Sequence, residues 1–441
     1  MPGGATLVAA AAAAAAAFAV PTASMVVPQG ELIDIELLSL GALGAEPPWQ
    51  DHPSASVAVV GPSVTVQLQA FVSVNFTRSL RPAAPGGGEP SELLTASSGP
   101  QLRFRFRPSY VGTYTWSAAV TWRGQPSSRR GSFIVTAAAA PPASMIGVAQ
   151  NGRYFCEGQD GAPYYPVGGN IECWDCVLGE KQYKPWGNYG GSRAPANGTF
   201  EFERWFGRLA KAGGNFARVW INTPYGIWTE LASNITVPGE RGPVTLSGGG
   251  LGRYDMASAW RLDHIITTAS KLGIRVLLSV EMARTQDDSR NWGWSPYNRQ
   301  NGGMLSNGAG FFTDAAAMEA FETRLRYLVA RFAHHTSIFA WELFNEVNCD
   351  SDIPDPHGLA DWHWNMSRVL EDADSYGHMV TTSFCADPLV KPAAAADNTA
   401  VYSLAGMSFS QTHQYQNLAP GYFDQYADSG KTARVMRAST M

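Results

Sequence analysis

The residue pair best suited to chemistry in this chain is Asn345-Glu346, which closes the run Ile338-Phe-Ala-Trp-Glu-Leu-Phe-Asn-Glu346. The run begins as a buried strand and ends with an amide beside a carboxylate. At the mouth of a strand, the amide of such a pair can hold a sugar 2-hydroxyl while the acid protonates the leaving glycosidic oxygen. An Asn-Glu dipeptide is common and carries little information; the whole Trp341 to Glu346 stretch after an apolar strand start is specific. Other polar and aromatic residues also end strand-like runs: Trp174, Arg218, Glu281, His413 and Tyr415. Trp292, Trp294 and Tyr297, in the long segment after Glu281, are of the type that stacks on sugar faces or simply packs.

These residues need elements to hold them. From about residue 164 onward, strand-like runs alternate with helical ones, the signature of repeated β-α units. Strands are expected at Tyr164 to Trp174, Asn215 to Ile221, Arg275 to Glu281, from Ile338, at Met379 to Phe384 and at Met407 to Tyr415. Helices are expected over Thr199 to Lys211, Asp255 to Leu272, Asp314 to His334 and Leu359 to Ala373. Ala259, Leu262, Ile265, Ile266, Ala269 and Leu272 share one helical face, and Gly273 supplies the stop. The economical reading is an α/β fold, a (β/α)8 barrel, whose site lies at the C-terminal ends of its strands. A doubly wound nucleotide fold would need a Gly-rich turn opening a helix; Gly168-Gly169 lies inside a strand-like run instead.

Residues 31–137 have a different period. Short strands at Val57 to Val60, Val64 to Phe71, Leu102 to Phe106, Thr113 to Thr121 and Gly131 to Thr136 are separated by turn-rich segments. Leu102, Phe104 and Phe106 face one way while Arg103, Arg105 and Arg107 face the other. This predicts an all-β immunoglobulin-like sandwich. Residues 138–150, starting in Ala/Pro sequence, read as a linker, and the hairpin at Arg153 to Glu157 and Ala162 to Pro166 as closing the base of the next domain, 151–441.

Residues 1–24 read as a secretory signal peptide: Leu7 to Val20 is apolar and Ala-rich, ahead of Pro21 and the small Ala23 and Ser24, although no Lys or Arg precedes it. Sequons at Asn75, Asn197, Asn234 and Asn365 agree with a secreted glycoprotein. Of five cysteines, Cys349 and Cys385 follow neighbouring strands and could pair or stay as thiols. Cys173-X-X-Cys176 lacks a second such pair, so no metal and no cofactor is expected. A net charge of −5 with no basic run gives no support for nucleic-acid binding, and the apolar leader is too short for a comfortable membrane span. A polysaccharide or oligosaccharide is the one partner implied; no protein partner is.

At the level of these motifs the chain resembles clan A glycoside hydrolases of the cellulase and β-mannanase type, from about Tyr164 to Tyr415. The resemblance rests on Arg218 in Asn-Phe-Ala-Arg-Val-Trp, the Trp341 to Glu346 run and His413-Gln-Tyr415. It also covers Arg105 to Trp116, similar to the closing strands of an accessory β-sandwich found ahead of such barrels. The resemblance implies a retaining hydrolase of β-mannan or β-glucan with Glu346 as general acid/base and Asn345 on the 2-hydroxyl. Arg218 would orient the nucleophile, and His413 and Tyr415 would line the cleaved subsite. It further implies a nucleophilic Glu ending strand seven. Here Gly430 to Met441 begins like that strand and contains no Glu, and Asp424 and Asp428 are the only carboxylate side chains after His413. Glu281 is the nearest substitute. The barrel is therefore expected to lack its last strands and the 441-residue chain to be inactive alone, the alternative being a non-catalytic carbohydrate-binding or structural remnant.

Overall fold

The computed structural model describes residues 25–82, 90–158, 161–171, 198–221, 230, 235–237, 244–246, 250–286, 292–348, 356–384 and 395–413. The leader, Trp174, Tyr415, Cys173, Cys176, Cys349, Cys385 and the segment from Gly430 lie outside these residues.

The N-terminal region is all β. Its strands are β1 (Met25–Pro28), β2 (Ile33–Ser39), β3 (Ser54–Val60), β4 (Thr65–Gln69), β5 (Phe71–Ser73), β6 (Phe76–Arg81), β7 (Ser91–Ala96), β8 (Gln101–Phe106), β9 (Gly112–Trp122) and β10 (Gln125–Thr136). One sheet has the order β1-β10-β9-β3-β4, another β2-β8-β5, and β6-β7 form a separate ribbon. Leu102, Phe104 and Phe106 on β8 are buried, and the last two rings meet Trp116, Tyr114 and Phe133 of the larger sheet. The expected alternation on β8 is therefore present, and the two sheets enclose its apolar side. On its other side Arg103 pairs with Asp34 of β2, while Arg105 and Arg107 reach the second region. The first strand starts at Met25, ahead of residue 31, because Met25 to Pro28 pair in parallel with Phe133 to Thr136.

Three short strands follow, β11 (Ile146–Val148), β12 (Phe155–Glu157) and β13 (Pro163–Tyr164), paired antiparallel. Residues 138–150 are thus not linker throughout, since Ile146 is buried against the sheet that follows. The Phe155 ring packs edge-on to Phe339 and Phe409, and Tyr164, Leu277, Ala340 and Met379 complete this plug at one end of the sheet.

The mixed α/β region contains β14 (Gly168–Asn170), α1 (Thr199–Lys211), β15 (Phe216–Trp220), β16 (Ile235–Val237), β17 (Val244–Leu246), α2 (Met256–Lys271) and β18 (Arg275–Met282). It continues through α3 (Ala315–Phe332), β19 (Ile338–Asn345), α4 (Pro356–Ala373), β20 (Met379–Thr381), β21 (Ser383–Phe384), α5 (Ala395–Tyr402) and β22 (Gln411–Thr412). Strands β14-β15-β18-β19-β20 form one parallel sheet, and β21 pairs with β22 in parallel. Within the described part of the first expected strand, Gly168–Asn170 pair with β15. A Cβ on Gly168 would fall 1.7 Å from the Phe216 carbonyl, so only glycine lets β14 approach β15 this closely. Of the sixth expected strand, the described residues show Gln411–Thr412 as strand.

Capping explains the helix starts. Asp255 accepts the Ser258 N–H ahead of α2, and Asp314 accepts those of Ala316 and Ala317 at 2.9 and 3.0 Å ahead of α3. Helix α1 has no local side-chain cap; Glu92 of β7 accepts the Thr199 N–H at 3.0 Å instead. The β6-β7 ribbon so finishes a helix of the other region. Arg78 of β6 donates to the Thr199 hydroxyl at 2.8 Å and also reaches Glu203, while Arg261 of α2 donates to Glu92 at 2.6 Å.

The arginine side of β8 completes the junction. Arg105 donates to Asp263 of α2 at 2.6 Å and to the Arg331 carbonyl at 3.0 Å, and Arg107 to the His334 carbonyl at 2.9 Å. Arg331 of α3 reaches Asp263 from the other side at 3.0 Å, and both guanidiniums lie over the Phe71 ring. Burial opposes charge on Asp263, but the Arg105 and Arg331 guanidiniums outweigh it and hold the carboxyl well below its usual range. Burial, with His335 and Arg105 nearby, keeps His334 neutral.

Candidate active site

Three elements meet around Asn345 and Glu346. Strand β15 brings Arg218, β19 brings Glu342 and Asn345 with Glu346 directly after it, and β22 brings Gln411 and then His413. Arg218 and Glu342 are charged residues inside two otherwise apolar strands, which is stable only if they meet. They do so as a two-point pair: Nε to Oε2 at 2.6 Å and Nη2 to Oε1 at 2.7 Å. The same Nη2 donates to the Asn345 Oδ1 at 2.6 Å, and Gln411 Nε2 donates to Glu342 Oε1 at 3.0 Å. Since an arginine only donates, it fixes which end of the Asn345 amide is oxygen and turns the amide NH2 away from the pair.

Glu346 is held differently. It has φ +53°, in the left-handed region, and its N–H donates to the Ser383 hydroxyl at 2.9 Å. Its Oε1 lies 2.9 Å from His413 Nδ1. The side chains of Glu346 and His413 are 10% and 20% exposed, whereas those of Glu342, Glu281 and Glu230 are 0%, 2% and 0% exposed. Of these four carboxylates, Glu346 alone reaches toward solvent, with a histidine in contact.

The structure brings Arg218, Asn345, Glu346 and His413 together. Tyr297, of the type that stacks on sugar or simply packs, is fully buried with its ring edge-on to Phe311. Trp292 is buried in the same layer, and its carbonyl accepts from Asn298 Nδ2 at 3.0 Å. Tyr297 is thereby placed among packing residues, because the 292–312 segment folds onto α3 and α4 through Phe311, Phe312 and Trp362.

Glu281 is likewise corrected as the nearest substitute nucleophile. Its carboxylate accepts from Arg324 of α3 at 2.8 Å, with Glu230 3.9 Å from the same guanidinium. Burial raises the pKa of Glu281, and it pushes Glu230 up to about 7 despite Arg324. Arg218 is buried, pairs with Glu342 and Asn345, and lies over the Trp220 ring. Sequence reasoning missed Glu342, Gln411 and Ser383. The pairing of Arg218 with Glu342 had a signal, two opposite charges each isolated in an apolar strand; Gln411 and Ser383 had none.

No family model matches the sequence. The chain is similar to mannan endo-1,4-beta-mannosidase 2 of Arabidopsis thaliana, 30% identical over 142 residues, which is 30% of this chain and 31% of that protein. It is similar to mannan endo-1,4-beta-mannosidase A of Aspergillus aculeatus, 26% over 185 residues, 40% of this chain and 42% of that one. Against mannan endo-1,4-beta-mannosidase A of Hypocrea jecorina it is 26% identical over 239 residues, 52% of this chain and 48% of that one. The chain therefore spans less than half the length of these relatives. Among solved structures, a candidate glycoside hydrolase from Bacteroides vulgatus ATCC 8482 superposes with a TM-score of 0.54 at 16% identity, covering 88% of this chain and 60% of that one. That likeness is one of fold.

Proposed function

We propose that the α/β region is a (β/α)8 barrel of the glycoside hydrolase type that engages a β-1,4-mannan polysaccharide, with Glu346 as its general acid/base. The observation that carries this reading is the partly exposed Glu346 carboxylate against His413, directly after Asn345 at the end of a parallel strand. The similarity to mannan endo-1,4-beta-mannosidases supports mannan over glucan. Asn345, turned by Arg218, offers its NH2 to the substrate 2-hydroxyl, and Glu346 protonates the departing glycosidic oxygen. His413 accompanies Glu346 as a subsite wall, and Trp174 and Tyr415 belong to the same proposal as aromatic walls.

A retaining mechanism requires a second carboxylate about 5–5.5 Å from the first. Glu342 does not suit that role, since Arg218 and Gln411 occupy its oxygens in a fully buried position. Glu281 does not suit it either, being bound to Arg324 on α3. After His413 the sequence offers no Glu at all. By this reading the described residues hold the acid/base half of the machinery. The ion-paired burial of Glu342 and Glu281 favours the second reading, a carbohydrate-binding barrel that does not cleave.

The same proposal makes the N-terminal region an immunoglobulin-like sandwich. The Tyr114 hydroxyl donates to the Tyr110 carbonyl at 3.0 Å and accepts its N–H at 3.1 Å, a tyrosine-corner contact of the kind such sandwiches use. Export follows from the apolar leader and from a polymeric substrate. The test is direct: the 441-residue chain should bind β-1,4-manno-oligosaccharides in calorimetry yet release no reducing ends from β-mannan or β-glucan. Robust hydrolysis that disappears in Glu346→Gln would demand a nucleophile elsewhere.

A further inference from the structure

We propose that Ser383 is a positioning residue that sets Glu346 against His413, an inference that rests on the reading of Glu346 as the proton donor. Strand β19 ends by turning Glu346 into the left-handed region at φ +53°, a conformation that few non-glycine residues adopt. Something must hold that turn, and Ser383 does so twice. Its hydroxyl oxygen accepts the Glu346 N–H at 2.9 Å, and its carbonyl accepts the Val347 N–H at 3.0 Å.

The same two-residue strand β21 then receives the histidine. Ser383 is in register with Gln411 and Phe384 with Thr412, and the Phe384 carbonyl accepts the His413 N–H at 3.0 Å. Strand β21 is so a splice joining the ends of two strands whose functional residues lie 67 positions apart.

The neighbouring hydroxyls do other work. Thr381 Oγ1 donates to the Phe409 carbonyl at 2.8 Å, and Thr382 Oγ1 donates to the Phe344 carbonyl at 3.0 Å. Of these three consecutive hydroxyls, Ser383 is the one that receives the acid's own backbone, at a fully buried position. Without that oxygen the Glu346 N–H becomes a buried donor with its partner gone, and the left-handed turn loses the contact that favours it.

The experiment uses the full 441-residue chain. Amide hydrogen exchange is followed by NMR in the wild type, Ser383→Ala and Ser383→Thr. In Ser383→Ala, exchange at Glu346 should accelerate about ten- to a hundredfold, while Leu278 and Trp341 in the sheet interior keep their rates. Ser383→Thr retains the oxygen and should restore protection. Unchanged exchange at Glu346 in Ser383→Ala overturns the proposal. Equal acceleration at Leu278 and Trp341 also overturns it, since that marks a general packing role. If Ser383→Ala does not fold, Ser383→Thr still decides: loss of Glu346 protection in a folded Thr variant counts against the splice.

Binding of a β-1,4-manno-oligosaccharide is measured in parallel, with about a tenfold loss expected in Ser383→Ala and none in Ser383→Thr. If the wild type binds no sugar while the exchange pattern holds, the mannan reading fails and the positioning of Glu346 stands.

Discussion

Glu281 and Glu346 occupy matching places in sequence, each at the C-terminal end of an apolar parallel strand, and the structure gives them opposite surroundings. Glu281 is in register with Phe344, and both turn toward α3 and the segment before it: Glu281 to Arg324, Phe344 to Phe311 and Phe312. Strict alternation would instead put Glu281 on the face of Ser279, which is in register with Glu342. Glu346, one residue beyond its strand, escapes that geometry through a left-handed turn and faces His413. A carboxylate at a strand end is thus not enough for a catalytic site; the last backbone turn decides which side of the wall it serves.

The comparison can be broken most forcefully at Arg324. Two buried carboxylates share this one guanidinium, so Arg324→Met should cost about 3–5 kcal/mol of unfolding free energy in a urea titration. A loss below about 1 kcal/mol would mean that Glu230 and Glu281 need no cation and that the outer cluster is not electrostatic.

The next effect is on pH dependence. Burial first, and the Glu281 charge as well, push Glu230 up to about 7, against an ordinary value of 4.5. Between those values the folded protein keeps a proton that the unfolded chain has released. Stability therefore falls as pH rises from about 4.5 through about 7, by on the order of 3 kcal/mol, and Glu230→Gln should flatten that slope.

The junction between the two regions reverses the stoichiometry, with Asp263 serving Arg105 and Arg331. Arg105→Met should cost about 2 kcal/mol near neutral pH. Because the Asp263 pKa is depressed, its contribution is present above the ordinary carboxylate range and is lost as pH falls. The deficit of the variant should then shrink in acid, measured as the difference in melting between pH 7 and pH 3. A deficit constant with pH would assign the loss to packing on Phe71 instead.

The smallest stability effect is the most specific contrast. Glu281→Gln should stay within about 1 kcal/mol of the wild type, since Arg324 keeps Glu230, and should leave manno-oligosaccharide binding untouched. Glu346→Gln should alter the complex with the sugar and preserve the pH slope from Glu230. Equal effects of the two on binding would erase the distinction between the strand ends.

Much of the architecture was legible because it depends on local periodicity. The helix Thr199–Lys211 has its expected bounds, and α2 and α3 begin one residue after their Asp caps. The apolar alternation on β8 appears as read. The β6-β7 ribbon and β2 were missed, their sequences showing polar and apolar residues without a clean period. Tyr297 stayed open for a related reason: an aromatic in a polar segment has the same local sequence whether it is displayed or packed, and only the contact with Phe311 decides it.

By itself the sequence determined the alternation of strands and helices and the Asn-Glu pair at a strand end, and it carried in Arg218 and Glu342 two isolated charges whose pairing went unread. These follow from side-chain period and from the cost of burying an unpaired charge, both properties of short stretches. Only the tertiary structure decided that Arg105 and Arg107 reach the helix layer, that Glu92 caps a helix in the other region, and that Glu346 and not Glu281 stands beside a histidine. Each of those depends on a hydrogen bond between residues far apart in the chain, and the sequence pattern around either partner does not encode the other.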